Sequence, residues 1–223
     1  MEKTEDVFRQ VFLENRWLSA ESVSGTGSTL LATNELVPQL LEQISRLRIR
    51  SLNDAPCGDF NWIRPVAEAV DYRGFDVVPE VLELARSRGQ FRFEQLDIVE
   101  EALPRADAIL CRDCLVHLPI DMITRALDNF VQSGSDWLIT TTFPFIEENV
   151  PARVGSWRPL NLERAPFNLP PPVDRIVERP SIPSHERFGR KMLGVWKLSD
   201  VARARRSTKG SASRSSAPLK RRS

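Results

Sequence analysis

Cysteine is scarce, with three in 223 residues. A small odd set excludes a disulfide framework and points to a reducing compartment, so a cytoplasmic location is expected. Long apolar runs are missing too. No stretch approaches the ~18 consecutive apolar residues of a membrane span. The opening Met1-Glu2-Lys3-Thr4-Glu5-Asp6 lacks the basic-then-apolar order of a secretory leader. No internal repeat is visible, which removes repeat architectures. Tyrosine occurs once, as Tyr72, inside an expected strand, which argues against a tyrosine base.

The rest of the composition, 41% hydrophobic and 27% charged, is that of a globular chain long enough for one α/β domain with extensions. The formal charge of +1 hides an uneven distribution. Eight basic residues and no acid lie between Arg203 and the end. Setting them aside leaves 23 basic against 30 acidic groups, about −7 for residues 1–202. So acidic a body is a poor nucleic-acid surface. The Ser-, Arg- and Lys-rich segment 203–223 has almost no large apolar side chains and is expected to be a disordered tail. Weak contact of that tail with RNA or an anionic surface remains open.

Apolar spacing divides the remainder. Val7, Phe8, Val11, Phe12 and Leu18 form one helical stripe, and Leu36, Val37, Leu40, Leu41, Ile44 and Leu47 another. Residues 1–49 therefore read as an N-terminal helical cap. Strands are expected at 51–55, 72–77, 91–96, 106–111 and 137–142. Helices are expected at 62–70, capped by Asp59 or Asn61, then from Pro79, and along Ile120, Ile123, Leu127 and Phe130. Periodicity stops over 143–172, a long loop with aromatic anchors. Two last strands, 173–178 and 191–198, complete an α/β domain spanning 50–200 and closed by an antiparallel hairpin.

Chemistry concentrates where strands turn into helices. Asn53-Asp54-Ala55-Pro56-Cys57-Gly58-Asp59-Phe60 leaves the first strand, Asp76 ends the second, and Asp97-Ile98 follows the third. Asp76 lies eighteen residues past Gly58. Acids and tight turns along one edge of a parallel sheet are where such sheets bind nucleosides. This pattern resembles the class I S-adenosylmethionine-dependent methyltransferases. The resemblance covers residues ~50–200 and implies a Rossmann-like, seven-stranded, mostly parallel sheet with helices on both faces. Where the family has an acid followed by three alternating glycines, this chain has Asp54-Ala55-Pro56-Cys57-Gly58, with one glycine.

The resemblance implies S-adenosyl-L-methionine as cofactor. Asp54, Pro56, Cys57 and Gly58 would take its methionine end, Asp76 and Val77 the ribose, and Asp97 and Ile98 the adenine. Trp17 and Gly25, in the pre-sheet segment, would cover it. After the fourth strand, Cys111-Arg112-Asp113-Cys114-Leu115-Val116-His117 would place Arg112 beside the cofactor and Asp113 and His117 near the reacting methyl group. His117 titrates nearest neutrality and is the candidate base, with Asp113 orienting it. A family insertion after the fifth strand implies an acceptor pocket from Trp157, Arg158, Asn161, Phe167 and Asn168. Arg158 would hold a carboxylate or phosphate of a small molecule methylated on oxygen or nitrogen.

Other readings of these residues stay open. The acids can be ordinary helix caps, and Cys57, Cys111, Cys114 and His117 have the donor set of a structural zinc site, although no metal is expected. A nicotinamide-dependent oxidoreductase would need a full Gly-x-Gly-x-x-Gly turn, which is missing. Gly25-Thr26-Gly27-Ser28-Thr29 lacks the strand and lysine of a phosphate loop. A non-catalytic methyltransferase-like binding domain would keep the acids without turnover.

Overall fold

The computed structural model of the chain describes residues 3–178 and 191–215, with side chains as far as Arg206. Three helices come first, α1 (Thr4–Leu13), α2 (Leu30–Thr33) and α3 (Leu36–Leu47). Strand and helix then alternate: β1 (Ser51–Asp54), α4 (Arg64–Ala67), β2 (Asp71–Asp76), α5 (Pro79–Arg88), β3 (Arg92–Gln95), β4 (Ala108–Cys111), α6 (Ile120–Gln132) and β5 (Trp137–Thr142). Strands β6 (Asp174–Val177) and β7 (Met192–Lys197) lead into α7 (Leu198–Ser215). The seven strands form one sheet in the order β3-β2-β1-β4-β5-β7-β6. Strands β1 to β5 pair in parallel, while β7 runs antiparallel between β5 and β6. The expected mostly parallel sheet with an antiparallel end is the one observed.

A central parallel strand is covered on both faces, so its sequence can run apolar without alternation, as β4 does, while the edge strand β3 (Arg92–Gln95) is largely exposed. In β4 all four residues are buried. Ile109 and Cys111 face a core with α6, α7 and the long loop, through Ile123, Phe130, Val201 and Phe167. Ala108 and Leu110 face the opposite core with α3, α4 and α5, through Leu40, Val66 and Leu82. The stripe read from Leu36 to Leu47 is the buried side of α3. Pro79 opens α5, where its missing N–H costs nothing. Among the described residues, no helix is long and apolar enough to cross a membrane.

Three expectations are corrected. Helix α1 ends at Leu13, and Leu18 is exposed with positive φ rather than on its stripe. The helix expected at 62–70 is one turn, because neither proposed cap is available. The Asp59 carboxylate accepts from Ser22 and Val23, and the Asn61 Oδ1 accepts from Arg88 at 3.1 Å. Disorder does not begin at residue 203. The chain is helical through Ser215, and Arg205 is buried and paired with Asp128 on α6, which holds α7 down. The expected link between the last two strands and the end of the tail fall outside the described residues.

Candidate active site

Four parallel strands deliver their C-terminal ends to one edge of the sheet. A cavity of about 540 Å³ opens there. It is lined by Asp54, Pro56, Cys57, Gly58, Asp76, Val77, Asp97, Ile98, Arg112, Asp113 and His117, and from outside the sheet by Trp17, Gly25 and Trp157. The sequence-expected cofactor residues thus converge on one space, although they come from separate segments.

The Gly58 N–H donates to Asp76 Oδ2 at 3.2 Å, and Val78 N–H donates to Oδ1 at 3.0 Å. Asp54 is buried and accepts from the Tyr72 hydroxyl at 2.7 Å. Tyr72 therefore supports an acid of the site from within its strand. Among the described residues, neither Asp54 nor Asp76 forms an ion pair. Desolvation pushes the Asp54 carboxyl up to about 7 and that of Asp76 up to about 6, against the hydrogen bonds they accept. Asp97 caps a turn, accepting from Val99 N–H at 2.8 Å, and also lines the cavity. Capping and binding are therefore compatible here.

The pre-sheet segment packs straight onto the first turn. Gly58 has φ +55°, and a Cβ there would lie 2.1 Å from Ser24 Oγ. Asp59, adjacent to it, accepts from Ser22 Oγ at 2.8 Å and Val23 N–H at 3.0 Å, and pairs with Arg88 at 2.8 Å. Gly25 has φ +93°, and a Cβ there would lie 3.1 Å from the Trp17 Cβ. Ser22, Ser24 and Asp59 thus hold a cover over the cavity. From the sequence Asp59 is a candidate helix cap; its hydrogen-bond partners Ser22, Val23 and Ser24 lie 35 to 37 residues away.

Beyond β4 the charges are compensated. Arg112 is buried, donates to Glu178 Oε2 at 2.6 and 2.9 Å and to the Gly27 carbonyl at 2.8 Å, and lies over the Trp62 ring at 5.1 Å. It therefore also anchors the cover. Lys191 Nζ reaches Asp113 Oδ2 at 2.5 Å and Glu178 at 3.1 Å. Burial opposes ionisation of Asp113, but Lys191 and Arg112 outweigh it and hold the carboxyl below the usual range. Asp113 thus pairs with Lys191 rather than orienting His117. The His117 ring lies 5.2 Å from that of Trp17, and its Nδ1 is buried without a hydrogen-bond partner. Desolvation pushes its pKa down to about 4, so the imidazole is neutral at pH 7. Glu178 ends one expected strand and Lys191 begins the next, and the two meet through the hairpin register.

Of the five loop residues expected to bind an acceptor, Trp157 lines the cavity, edge-on to Phe143 at 5.9 Å. The others are corrected. Arg158 is buried and donates to the carbonyls of Val150, Leu115, Val116 and Leu118 at 2.7–3.2 Å. Asn161 binds the Pro144 and Ile146 carbonyls, and Phe167 is in the core. Asn168 is exposed, in a left-handed turn. An irregular loop packed on a domain has many carbonyls to satisfy, and these polar side chains do that. The zinc arrangement fails on geometry: Cys57 and Cys111 belong to cores on opposite faces of the sheet.

This sheet order, with its antiparallel last insertion and an acid-lined cleft beyond the strand ends, is the fold of the class I S-adenosylmethionine-dependent methyltransferases. Among solved structures, the chain is similar to magnesium protoporphyrin IX methyltransferase from Synechocystis PCC 6803 with S-adenosylhomocysteine bound: TM-score 0.60, 13% identity, covering 86% of this chain and 97% of that one. It is also similar to the methyltransferase domain of bacterial CtHen1-CN, at TM-score 0.53 and 14% identity over 74% and 99%. TehB from Haemophilus influenzae aligns at TM-score 0.52 and 9% identity over 72% and 61%. No protein-family model and no curated protein matches the chain.

Proposed function

We propose that the protein transfers a methyl group from S-adenosylmethionine to the oxygen or nitrogen of a small molecule. One observation carries this reading. Asp54 and Asp76 are buried carboxyls at the ends of neighbouring strands, on a cavity in a methyltransferase fold, and no cation among the described residues is in salt-bridge contact with them, although Arg112, itself paired with Glu178, acts on Asp54 from further off. The cofactor carries an ammonium and a sulfonium centre, which is the charge such a site is short of. Asp54 and the Pro56–Gly58 turn would hold the methionine end, Asp76 and Val77 the ribose, and Asp97 and Ile98 the adenine. The similar Synechocystis enzyme has also been solved with S-adenosylmethionine bound, which supports this choice of cofactor.

When bound, the cofactor supplies a methyl group on a cationic sulfur, open to in-line displacement. The protein's part is alignment and exclusion of water. The cover held by Asp59 and Arg112 closes one side. His117 lines the cavity and stays neutral, because burial opposes its protonation, so the alignment of the acceptor rather than a strong base is the protein's part.

Calorimetric titration with S-adenosylmethionine, S-adenosylhomocysteine and NADH tests the reading. Micromolar binding of the first two, and none of NADH, is expected. Asp76→Ala should weaken both by about tenfold or more, the loss of a hydrogen-bonded charge. Normal affinity in that variant, or NADH binding in place of the other two, overturns the reading. Binding without turnover on any acceptor would instead make the chain a non-catalytic binding domain.

A further inference from the structure

Tyr72 is the single tyrosine of the chain. It lies on β2 opposite Leu52 of β1 and is buried. Its ring sits in an aromatic cluster with Phe60, Phe91 and Phe93, at 5.5, 5.6 and 6.3 Å between centres. A phenylalanine would fill that space as well. The hydroxyl is the part that packing does not need, and a buried hydroxyl costs stability unless it finds a partner. Its partner is Asp54 Oδ2 at 2.7 Å. The strands explain the reach. Side chains alternate along β1, so Leu52 and Asp54 share a face, and an aromatic side chain opposite Leu52 spans the diagonal to residue 54.

Asp54 also lines the cavity, beside the Pro56–Gly58 turn. Among the described residues, the Tyr72 hydroxyl is the one hydrogen-bond donor to its carboxyl. A carboxylate has two oxygens. The hydroxyl fixes one of them and with it the plane of the group, which leaves the other to a cation in the cavity. The same bond favours the charged form of Asp54, against the burial that pushes its pKa up to about 7. Among the described residues, the ionisable groups around Asp54 are Tyr72 and Asp76 from β2, Cys57 from the first turn and Arg112 beyond β4. Burial pushes the Tyr72 hydroxyl and the Cys57 thiol well up, so both stay protonated. Burial opposes the charge of Arg112, but Glu178 and Asp113 outweigh it. Near neutral pH, the groups of this set that titrate are therefore the carboxyls of Asp54 and Asp76.

Resting on the methyl-transfer reading above, we infer that Tyr72 is a positioning residue for the cofactor: its hydroxyl holds Asp54 Oδ2, so that the other oxygen of the carboxylate receives the cofactor's ammonium group. Tyr72 does not line the cavity, and its effect passes through Asp54.

The test uses the full chain and S-adenosylhomocysteine, which carries the same ammonium group, with affinity read by calorimetry from about pH 5 to about pH 9. Tyr72→Phe keeps the ring and removes the hydroxyl. Loss of a donor to the charged form raises the pKa of Asp54, so the rise of affinity with pH should move up by about one unit. Binding should be about tenfold weaker near pH 6 and within about threefold of the parent near pH 9, where orientation alone is lost. In an Asp54→Asn background, Tyr72→Phe should no longer move the profile. The single tyrosine supplies a second measurement on the unaltered protein. Isotope-labelled tyrosine gives one nuclear magnetic resonance signal for Cζ, which should move as Asp54 ionises and on addition of S-adenosylhomocysteine near pH 6. A pH profile that Tyr72→Phe leaves in place, with or without an equal loss of affinity at every pH, overturns the proposal. Should circular dichroism show that this variant misfolds, a tyrosine signal indifferent to both pH and ligand overturns it. Failure of S-adenosylhomocysteine to bind the parent protein at any of these pH values instead overturns the methyl-transfer reading.

Discussion

Burial sets the protonation of the two carboxyls that would face a bound cation. Desolvation lifts Asp54 from 3.8 to about 7 and Asp76 from 3.8 to about 6. A cation in the cavity acts the other way and favours the charged forms. Binding of S-adenosylmethionine should therefore release protons. Its affinity should rise from about pH 5 to pH 7 and level off above. Calorimetry in buffers of different ionisation enthalpy measures the release; affinity independent of pH across that window would refute it. In the empty protein these carboxyls keep protons to higher pH than the unfolded chain does. They therefore weaken the fold as pH rises from about 4 to 7. His117 acts with opposite sign. Its pKa falls from 6.5 to about 4, so the unfolded chain gains a proton that the fold refuses, and stability drops as pH falls through that range.

At the scale of elements, the cover and the long loop depend on single side chains. Gly58→Ala would drive a methyl group into Ser24 Oγ and strain a left-handed backbone. The expected cost is about 1–3 kcal/mol, with weaker cofactor binding, read from denaturant unfolding and calorimetry. Asp59→Ala would strand Ser22, Val23 and Arg88. Hydrogen exchange should then accelerate across residues 19–28 while β1, β2 and β4 stay protected; unchanged exchange there would refute the anchoring role. Arg158→Ala would remove the guanidinium from four backbone carbonyls, of which those of Leu115 and Val116 keep a backbone N–H, and should destabilise the fold by about 2–3 kcal/mol. If Arg158 instead held an acceptor's carboxylate, the variant would unfold like the parent and lose only acceptor binding. A thermal melt beside a binding assay separates the two.

For the whole molecule, one sheet separates two cores and belongs to both. Leu138 faces one and Ile139 the other, one residue apart on β5. Neither core can open without exposing the strands of the other. Far-ultraviolet dichroism and tryptophan emission should thus give coincident unfolding curves. Trp196→Ala, in one core, should lower both together by about 3–5 kcal/mol. Separate transitions would mean that the N-terminal helices and the sheet unfold independently.

The sequence by itself determined what depends on neighbours along the chain. Apolar spacing of three and four marked α3 and α6, the strand-forming residues Trp137–Thr142 marked β5, and Pro79 marked the start of α5. The acids Asp54, Asp76 and Asp97 were legible because sheet topology carries strand ends to a common edge whatever the side-chain details. Only the tertiary structure decided which polar groups of the irregular segments face the cavity. Arg158 and Asn161 satisfy the loop's carbonyls while Trp157 reaches the cavity. Asp113 meets Lys191 across 78 residues, and Asp59 meets Ser22 across 37. Such pairings follow no local period. They arise because a folded chain must find a partner for each buried charge and carbonyl, and the nearest one in space is rarely the nearest in sequence.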